Sequence, residues 1–205
     1  MLRATCNKPT LGNNKTSRSF FPILIQLFHA LTWSAHSALL ECPSMDLRLR
    51  HLQQLEAWTK AEHFARWFAP DNVEVPHCEI DARPGGVIRF QHRWPEGQLV
   101  SIRGVFDEVV APTRLSFTFT FVDSNDRPTV NAMMPEWPVG AHIMMTVELV
   151  ATGRGTRMTV AQRVAEPELA DSAPIVRHRK LAAIGWSQTA ERLAAYLERR
   201  TPWDS

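Results

Sequence analysis

Residues 101–122 read SIRGVFDEVVAPTRLSFTFTFV. Apolar and polar side chains alternate through 101–110 and again through 114–122, with only Ala111, Pro112 and Thr113 between the two runs. A period of two marks a strand with one buried face, and a three-residue joint leaves no room for a parallel crossover, which needs a dozen or more residues. The segment therefore reads as an antiparallel hairpin. Outward from it, VIRFQHRW (87–94), HIMMTVELV (142–150) and TRMTVAQRV (156–164) alternate in the same way, and turn-rich joints at 95–97 and 152–155 make further hairpins. The long connector 123–141, rich in Pro and Met, is expected to be a loop over a cavity mouth.

Parity assigns the buried face, because successive side chains point to opposite sides of a sheet. Ile88, Phe90, His92 and Trp94 fall together, as do Ile102, Gly104, Phe106 and Glu108, then Leu115, Phe117, Phe119 and Phe121. Ile143, Met145, Val147 and Leu149 follow, then Met158, Val160 and Gln162. Arg89, Ser101, Thr118, Thr120, Thr146 and Glu148 take the opposite, solvated face. Apolar residues at helical spacing predict two short helices within 47–68, closed by Pro70, and one long helix from Pro174 to about Arg199 with Trp186, Thr189, Ala190, Leu193 and Leu197 on one side. An apolar sheet face and a long amphipathic helix need each other, so the expected fold is α+β, a curved antiparallel sheet wrapped around the C-terminal helix.

The composition is that of an ordinary globular chain: 205 residues, 44% hydrophobic and 21% charged. It excludes a disulfide miniprotein, a collagen-like chain and a wholly disordered one. A net charge of +2 gives no electrostatic case for nucleic acid. Cys6, Cys42 and Cys78 are odd in number and form no CxxC, which favours reduced thiols and a cytoplasmic setting. Residues 1–45 carry +3, with one acid, Glu41, while the remainder carries −1 on 19 basic and 20 acidic residues. Their apolar run FFPILIQLFHALTW (20–33) behind a basic leader has the layout of a signal peptide, but Pro22 and His29 interrupt it and no strong cleavage site follows. The expected organisation is an extension or mis-assigned start over 1–45, a single domain over 46–200 and a tail over 201–205. The membrane is not an expected partner.

The pieces AWT (57–59), HFARWFAP (63–70), DARPGGVIRF (81–90), GVFDEVVAPTRLSFTF (104–119), GTRMTV (155–160) and GWSQTAERLAAYL (185–197) occur in an order that resembles the SRPBCC, or START-like, domains of the type found at the C-terminus of the heat-shock protein 90 ATPase activator. The resemblance implies a helix-grip fold with a deep cavity between sheet and C-terminal helix. It also implies a non-enzymatic domain that binds a small hydrophobic or amphipathic molecule there. Two alternatives stay open: a cyclase- or hydratase-type enzyme using the same cavity through His92 or Glu108, and a chaperone cofactor or stress-response interaction module. Where the family opens with a strand, this chain has SMDLRLRHLQQLEAWT, so the first strand is expected to be short, altered or missing.

The inward residues expected to meet a ligand are His92, Trp94, Phe106, Glu108, Phe117, Phe119, Met145, Gln162 and Trp186. His92, Glu108 and Gln162 are the polar members, able to orient a ligand or, at strand ends, to face water. Met133, Met134, Trp137, Met144 and Met145 suggest either an adaptable gate or ordinary packing. Gly85 and Gly86 lack the GK[ST] ending of a phosphate loop and fit a tight turn. His77, Cys78 and Glu79 are neighbours on an extended chain and point to opposite sides, so no metal site is expected, nor any cofactor. His178, with Arg177, Arg179 and Lys180, forms a short basic run that reads as a solvated face or as a weak anion or partner contact.

Overall fold

In the computed structural model of the chain, residues 39–41, 44–47, 51–153 and 155–199 are described. The elements run β1 (Leu39–Glu41), β2 (Met45–Leu47), α1 (His51–Thr59), α2 (Ala61–Trp67), β3 (Cys78–Ile80), β4 (Val87–Arg93), β5 (Leu99–Val110), β6 (Arg114–Val122), β7 (Ile143–Thr152), β8 (Gly155–Val164), a short 3-10 turn at Pro167–Leu169 and α3 (Ala173–Arg199). All strand pairs are antiparallel in the order β1-β8-β7-β6-β5-β4-β3, and β2 also pairs with β8. The signal-like run 20–33 and the tail 201–205 lie outside the described residues.

The first strand, expected to be short, altered or missing, is present as two three-residue pieces. Glu41 sits opposite Ala161 and Met45 opposite Met158, so four steps on one side match three on the other and the register moves by one residue between β1 and β2. Pro43 lies between them in sequence and has no N–H to give a ladder. β1 also lies upstream of the domain boundary expected at residue 46. At the opposite edge, β3 is three residues long, too short for alternation to reveal it, and pairs with β4.

The hairpin of 101–122 is the centre of the sheet. Gly104 faces Phe119 across it, and a Cβ at Gly104 would stand 2.7 Å from the Thr118 carbonyl oxygen and 2.8 Å from Phe119 Cβ, so no larger residue fits without displacing backbone. Ile88, Phe90, Ile102, Phe106, Leu115, Phe117, Ile143, Met145, Val147, Leu149, Met158 and Val160 are all buried on the parity expected. Two positions depart from it. A β-bulge between Phe106 and Glu108 shifts the register, so Val109 packs on the core and Glu108 turns outward. Thr120, placed on the solvated face, is buried because the connector after β6 folds over it and its hydroxyl donates to the Ala141 carbonyl oxygen at 2.9 Å.

The inner face is closed by helices. α3 buries Trp186, Thr189, Leu193 and Leu197 of the stripe that its sequence spacing predicts, with Ala190 half-buried, and Ile175 is buried about three turns upstream. Trp58 of α1 is the hub of the aromatic core, with ring centroids 4.7 Å from Trp67, 5.7 Å from Phe68, 6.5 Å from Phe117 and 6.3 Å from Trp186. The Trp67 indole N–H donates to Ala57 O at 2.9 Å and locks α2 onto α1. Arg192 of α3 donates to the carbonyls of Ala69, Pro70 and Val73, so the chain leaving α2 is tied to the last helix.

Candidate functional site

The expected deep cavity is filled. Phe106, Phe117, Phe119 and Met145 are core side chains, and Trp94 is partly buried against the same core. The aromatic cluster around Trp58 and Trp186 takes up the space between sheet and helix, since side chains of this size interdigitate to crystal-like density. A cavity of about 20 Å³ is bounded by Trp137, Ile143, Gln162, Arg163, Val164, Ile175, His178 and Arg179. That is room for roughly one water molecule.

The polar residues predicted to meet there separate into three places. Glu108, turned out by the bulge, accepts from Arg114 Nε at 2.7 Å, and Arg114 also pairs with Glu148; this is an exposed charge cluster on the outer face. Glu108 is therefore no ligand to the interior, and the enzyme reading loses one of its two candidate groups. His92 lies against the Phe68 and Phe90 rings, and its Nε2 is 3.0 Å from Phe68 O. Only a protonated nitrogen can bond a carbonyl oxygen, so His92 carries its proton on Nε2. Burial lowers its pKa to about 4 against the pull of that hydrogen bond, with the Arg192 charge acting in the same direction as burial. His92 is thus a satisfied, neutral core histidine.

Gln162 is the third. It is buried on β8 and accepts the Trp186 indole N–H at Oε1, 2.8 Å away. An indole nitrogen only donates, so this contact fixes the orientation of the amide. Gln162 Nε2 then faces His178 Nε2 at 3.2 Å, and an amide nitrogen also only donates. His178 Nε2 is therefore the acceptor, and the imidazole proton sits on Nδ1. That nitrogen is 3.1 Å from the Met134 sulfur, a weak acceptor. A one-way chain of donation runs from Trp186 through Gln162 and His178 to the Met134 sulfur. Burial alone lowers the His178 pKa to about 4 and keeps the ring neutral.

His178 was hidden within the basic run Arg177–Lys180 of the sequence. The signal that reveals it is helical phase: Ile175, His178, Ala182 and Trp186 follow one another at three- and four-residue steps, with Ile175 and Trp186 buried and His178 and Ala182 half-buried beside them. The expected methionine gate divides likewise. Met145 is core, Met134 and Trp137 close the site, Met133 is exposed, and Met144 lies on the outer face beside Arg163.

The connector over this site is anchored by side chains. Trp137 is buried with its ring centroid 4.7 Å from His178 and 5.9 Å from Phe121, and Glu136 pairs with Arg177 at 3.1 Å. Its backbone bonds from Asn131 to Ala141 are single local turns: Met134 N to Asn131 O, Trp137 N to Met134 O, Ala141 N to Pro138 O.

No cluster of three or more metal-ligating side chains occurs among the described residues. His77 and Glu79 pair at 3.6 Å in solvent while Cys78 turns inward, where burial pushes its thiol up to about 12. Among the described residues no helix is long and apolar enough to cross a membrane.

Residues 55–198 match the family model described as activator of Hsp90 ATPase homolog 1-like protein. The chain belongs to that family. A crystal structure of a Nitrosomonas europaea protein is similar to it with a TM-score of 0.63 at 25% identity, over 80% of this chain and 97% of that one. A Chromobacterium violaceum protein matches with a TM-score of 0.62 at 20% identity, over 78% and 97% of the two chains. The AHSA1 protein of Silicibacter pomeroyi matches with a TM-score of 0.59 at 20% identity, over 78% and 98%. No curated protein matches the sequence significantly. The family's helix-grip fold, a curved antiparallel sheet with a long C-terminal helix, is the fold of this chain.

Proposed function

We propose that this Hsp90-activator-like domain binds a small, mainly apolar molecule at the seam of β7, β8 and the first half of α3, with the 123–142 connector as its cover. The observation that carries this reading is the buried donor chain Trp186–Gln162–His178, which ends beside a small cavity in an otherwise apolar wall. Such a chain adds only about 0.5–1.5 kcal/mol per hydrogen bond to an apolar core and is costly when left incomplete. A few convergent polar groups in apolar surroundings are the ordinary composition of a ligand site. The cavity admits a ligand only when Trp137 leaves it, and a segment held by local turns and a few side chains opens at low free energy. The family's members are built on the same frame, and binding without turnover needs only this seam.

Native mass spectrometry of the full purified chain tests the reading. A co-purifying adduct of constant mass is expected, and it should be lost in an Ile143→Phe variant, which fills the cavity. An adduct equally retained by that variant would place the ligand elsewhere.

A second reading, an interaction module for a chaperone in a cytoplasmic stress response, draws on the family description and on Leu181 and Ile184, which stand 52% and 62% exposed on α3. Its test is a pull-down with the wild-type chain and a Leu181→Glu/Ile184→Glu double variant; loss of a captured heat-shock ATPase in the variant supports it, and capture by neither chain removes it.

A further inference from the structure

We infer that the outer face of the sheet carries a separate site for a dianionic phosphate group, free or as a monoester, made by Arg89 and Arg103 and occupied in this structure by the chain's own Asp126. Arg89 on β4 and Arg103 on β5 stand directly opposite each other in register. Like charges so placed repel, and Asp126, in the turn after β6, is the acid that answers both. Arg89 takes most of it, with Nη2 2.6 Å and Nε 3.1 Å from Oδ2. Arg103 Nε stands 3.4 Å from the same oxygen and, although that nitrogen is buried, makes no hydrogen bond. Arg89 also has Glu79 of β3 directly across from it, whereas Asp126 is the only ion-pair partner of Arg103 among the described residues. Elsewhere on this face the ratio is reversed, and Arg114 alone is met by both Glu108 and Glu148. A buried N–H without an acceptor is rare in folded proteins, and this one lies beside a carboxylate too small for two guanidinium groups.

The turn holds Asp126 as a tethered ligand. Asp123 Oδ1 accepts from the backbone N–H groups of Asn125 and Arg127, and Asp126 sits at φ 61°, a left-handed conformation that Asp and Asn tolerate. Its carboxylate has two oxygens and one charge, and Arg89 already engages both oxygens. A phosphate dianion brings more oxygens and twice the charge, so it can meet both guanidinium forks, the pairing that arginine geometry matches. A free carboxylate offers nothing beyond what the tethered one supplies at an effective concentration of the order of mM. The selectivity is therefore for the dianion.

The test titrates the full chain with inorganic phosphate, phenyl phosphate and acetate at about pH 8, where a phosphate monoester is a dianion, with ionic strength held constant by sodium chloride. Binding is followed by the proton–nitrogen NMR signal of Arg103 Nε–H, assigned by its loss in Arg103→Gln. Phosphate is expected to shift that signal in the wild type. In Asp126→Asn, which suits the turn but removes the tethered charge, phosphate should bind at least about tenfold more tightly than in the wild type and than acetate does. Adding Arg103→Gln to that variant, with binding now followed at Arg89 Nε–H, should bring phosphate down to the acetate level. Tighter binding of phenyl phosphate supports the site with a monoester as its ligand, and tighter binding of inorganic phosphate supports it with the free ion. Equal phosphate affinity in the wild type and Asp126→Asn would overturn Asp126 as the occupant. Acetate matching phosphate would overturn the selectivity, and an undiminished phosphate affinity in the double variant would overturn the role of Arg103. A signal that phosphate leaves unmoved in both chains would overturn the site itself.

Discussion

The Nε2 of His92 stands 3.0 Å from the carbonyl oxygen of Phe68, the residue that ends α2, so the sheet and the first helical pair share a hydrogen bond through a buried imidazole. His178, half-buried on α3, is joined to Trp186 through Gln162. Both rings have their pKa lowered to about 4, chiefly by burial.

The sign of the resulting pH dependence follows. Between about 6.5 and 4 the unfolded chain binds protons at these two positions and the folded chain does not, so stability falls as pH is lowered. The contribution is complete above pH 6.5, declines through the window and is flat below about 4. Each histidine adds a slope of at most about 1.4 kcal/mol per pH unit. Urea unfolding at pH 7, 6 and 5 should show this decline, and His178→Phe should flatten it by roughly half. A wild-type stability unchanged across that range would contradict it.

Trp186→Phe keeps the ring stack on Trp58 but leaves Gln162 Oε1 buried without its donor. The expected loss is about 1–3 kcal/mol, the desolvation of an unpaired buried acceptor. Combined with Gln162→Leu, the loss should be smaller than the sum of the single losses by at least about 0.5 kcal/mol, since contacting residues couple. Strict additivity in urea-unfolding free energies would show that the two side chains act independently.

Gly104→Ala should destabilise the fold by about 1–3 kcal/mol, the range for forcing an extra methyl into a packed interior. The obstruction is the Thr118 carbonyl at 2.7 Å on the neighbouring strand, which cannot rotate aside. Thermal unfolding measures it. Gly97→Ala, where a Cβ meets nothing within 4 Å, removes only the ease of its positive φ and serves as the comparison.

Much of this architecture is legible in the residues themselves. The alternation of 101–122 gives the central hairpin, whose first strand starts two residues earlier at Leu99, and the parity of Ile143, Met145, Val147 and Leu149 gives the buried face of β7. What alternation does not carry is the extra residue at Asp107, which inverts Glu108, or the split of the edge strand into β1 and β2, each only three residues long. The site was harder to read for a different reason. Gln162 and Trp186 follow from period and phase, but His178 stands among cations that read as a solvated face, and the filling of the cavity depends on how the aromatic rings around Trp58 pack, a three-dimensional volume with no periodic trace. Glu108 and His92 share a parity on paper and are separated in the fold by a single bulge.

The protonation of the two imidazoles tests the donor chain most directly. In the long-range proton–nitrogen NMR spectrum of the free, full chain at pH 7, both rings should be neutral, with the proton on Nε2 in His92 and on Nδ1 in His178, each assigned by the loss of its signal in the corresponding His→Phe variant. A His178 ring protonated on Nε2 alone, or on both nitrogens, would contradict the chain from Trp186 through Gln162 and, with it, the site proposed on that chain.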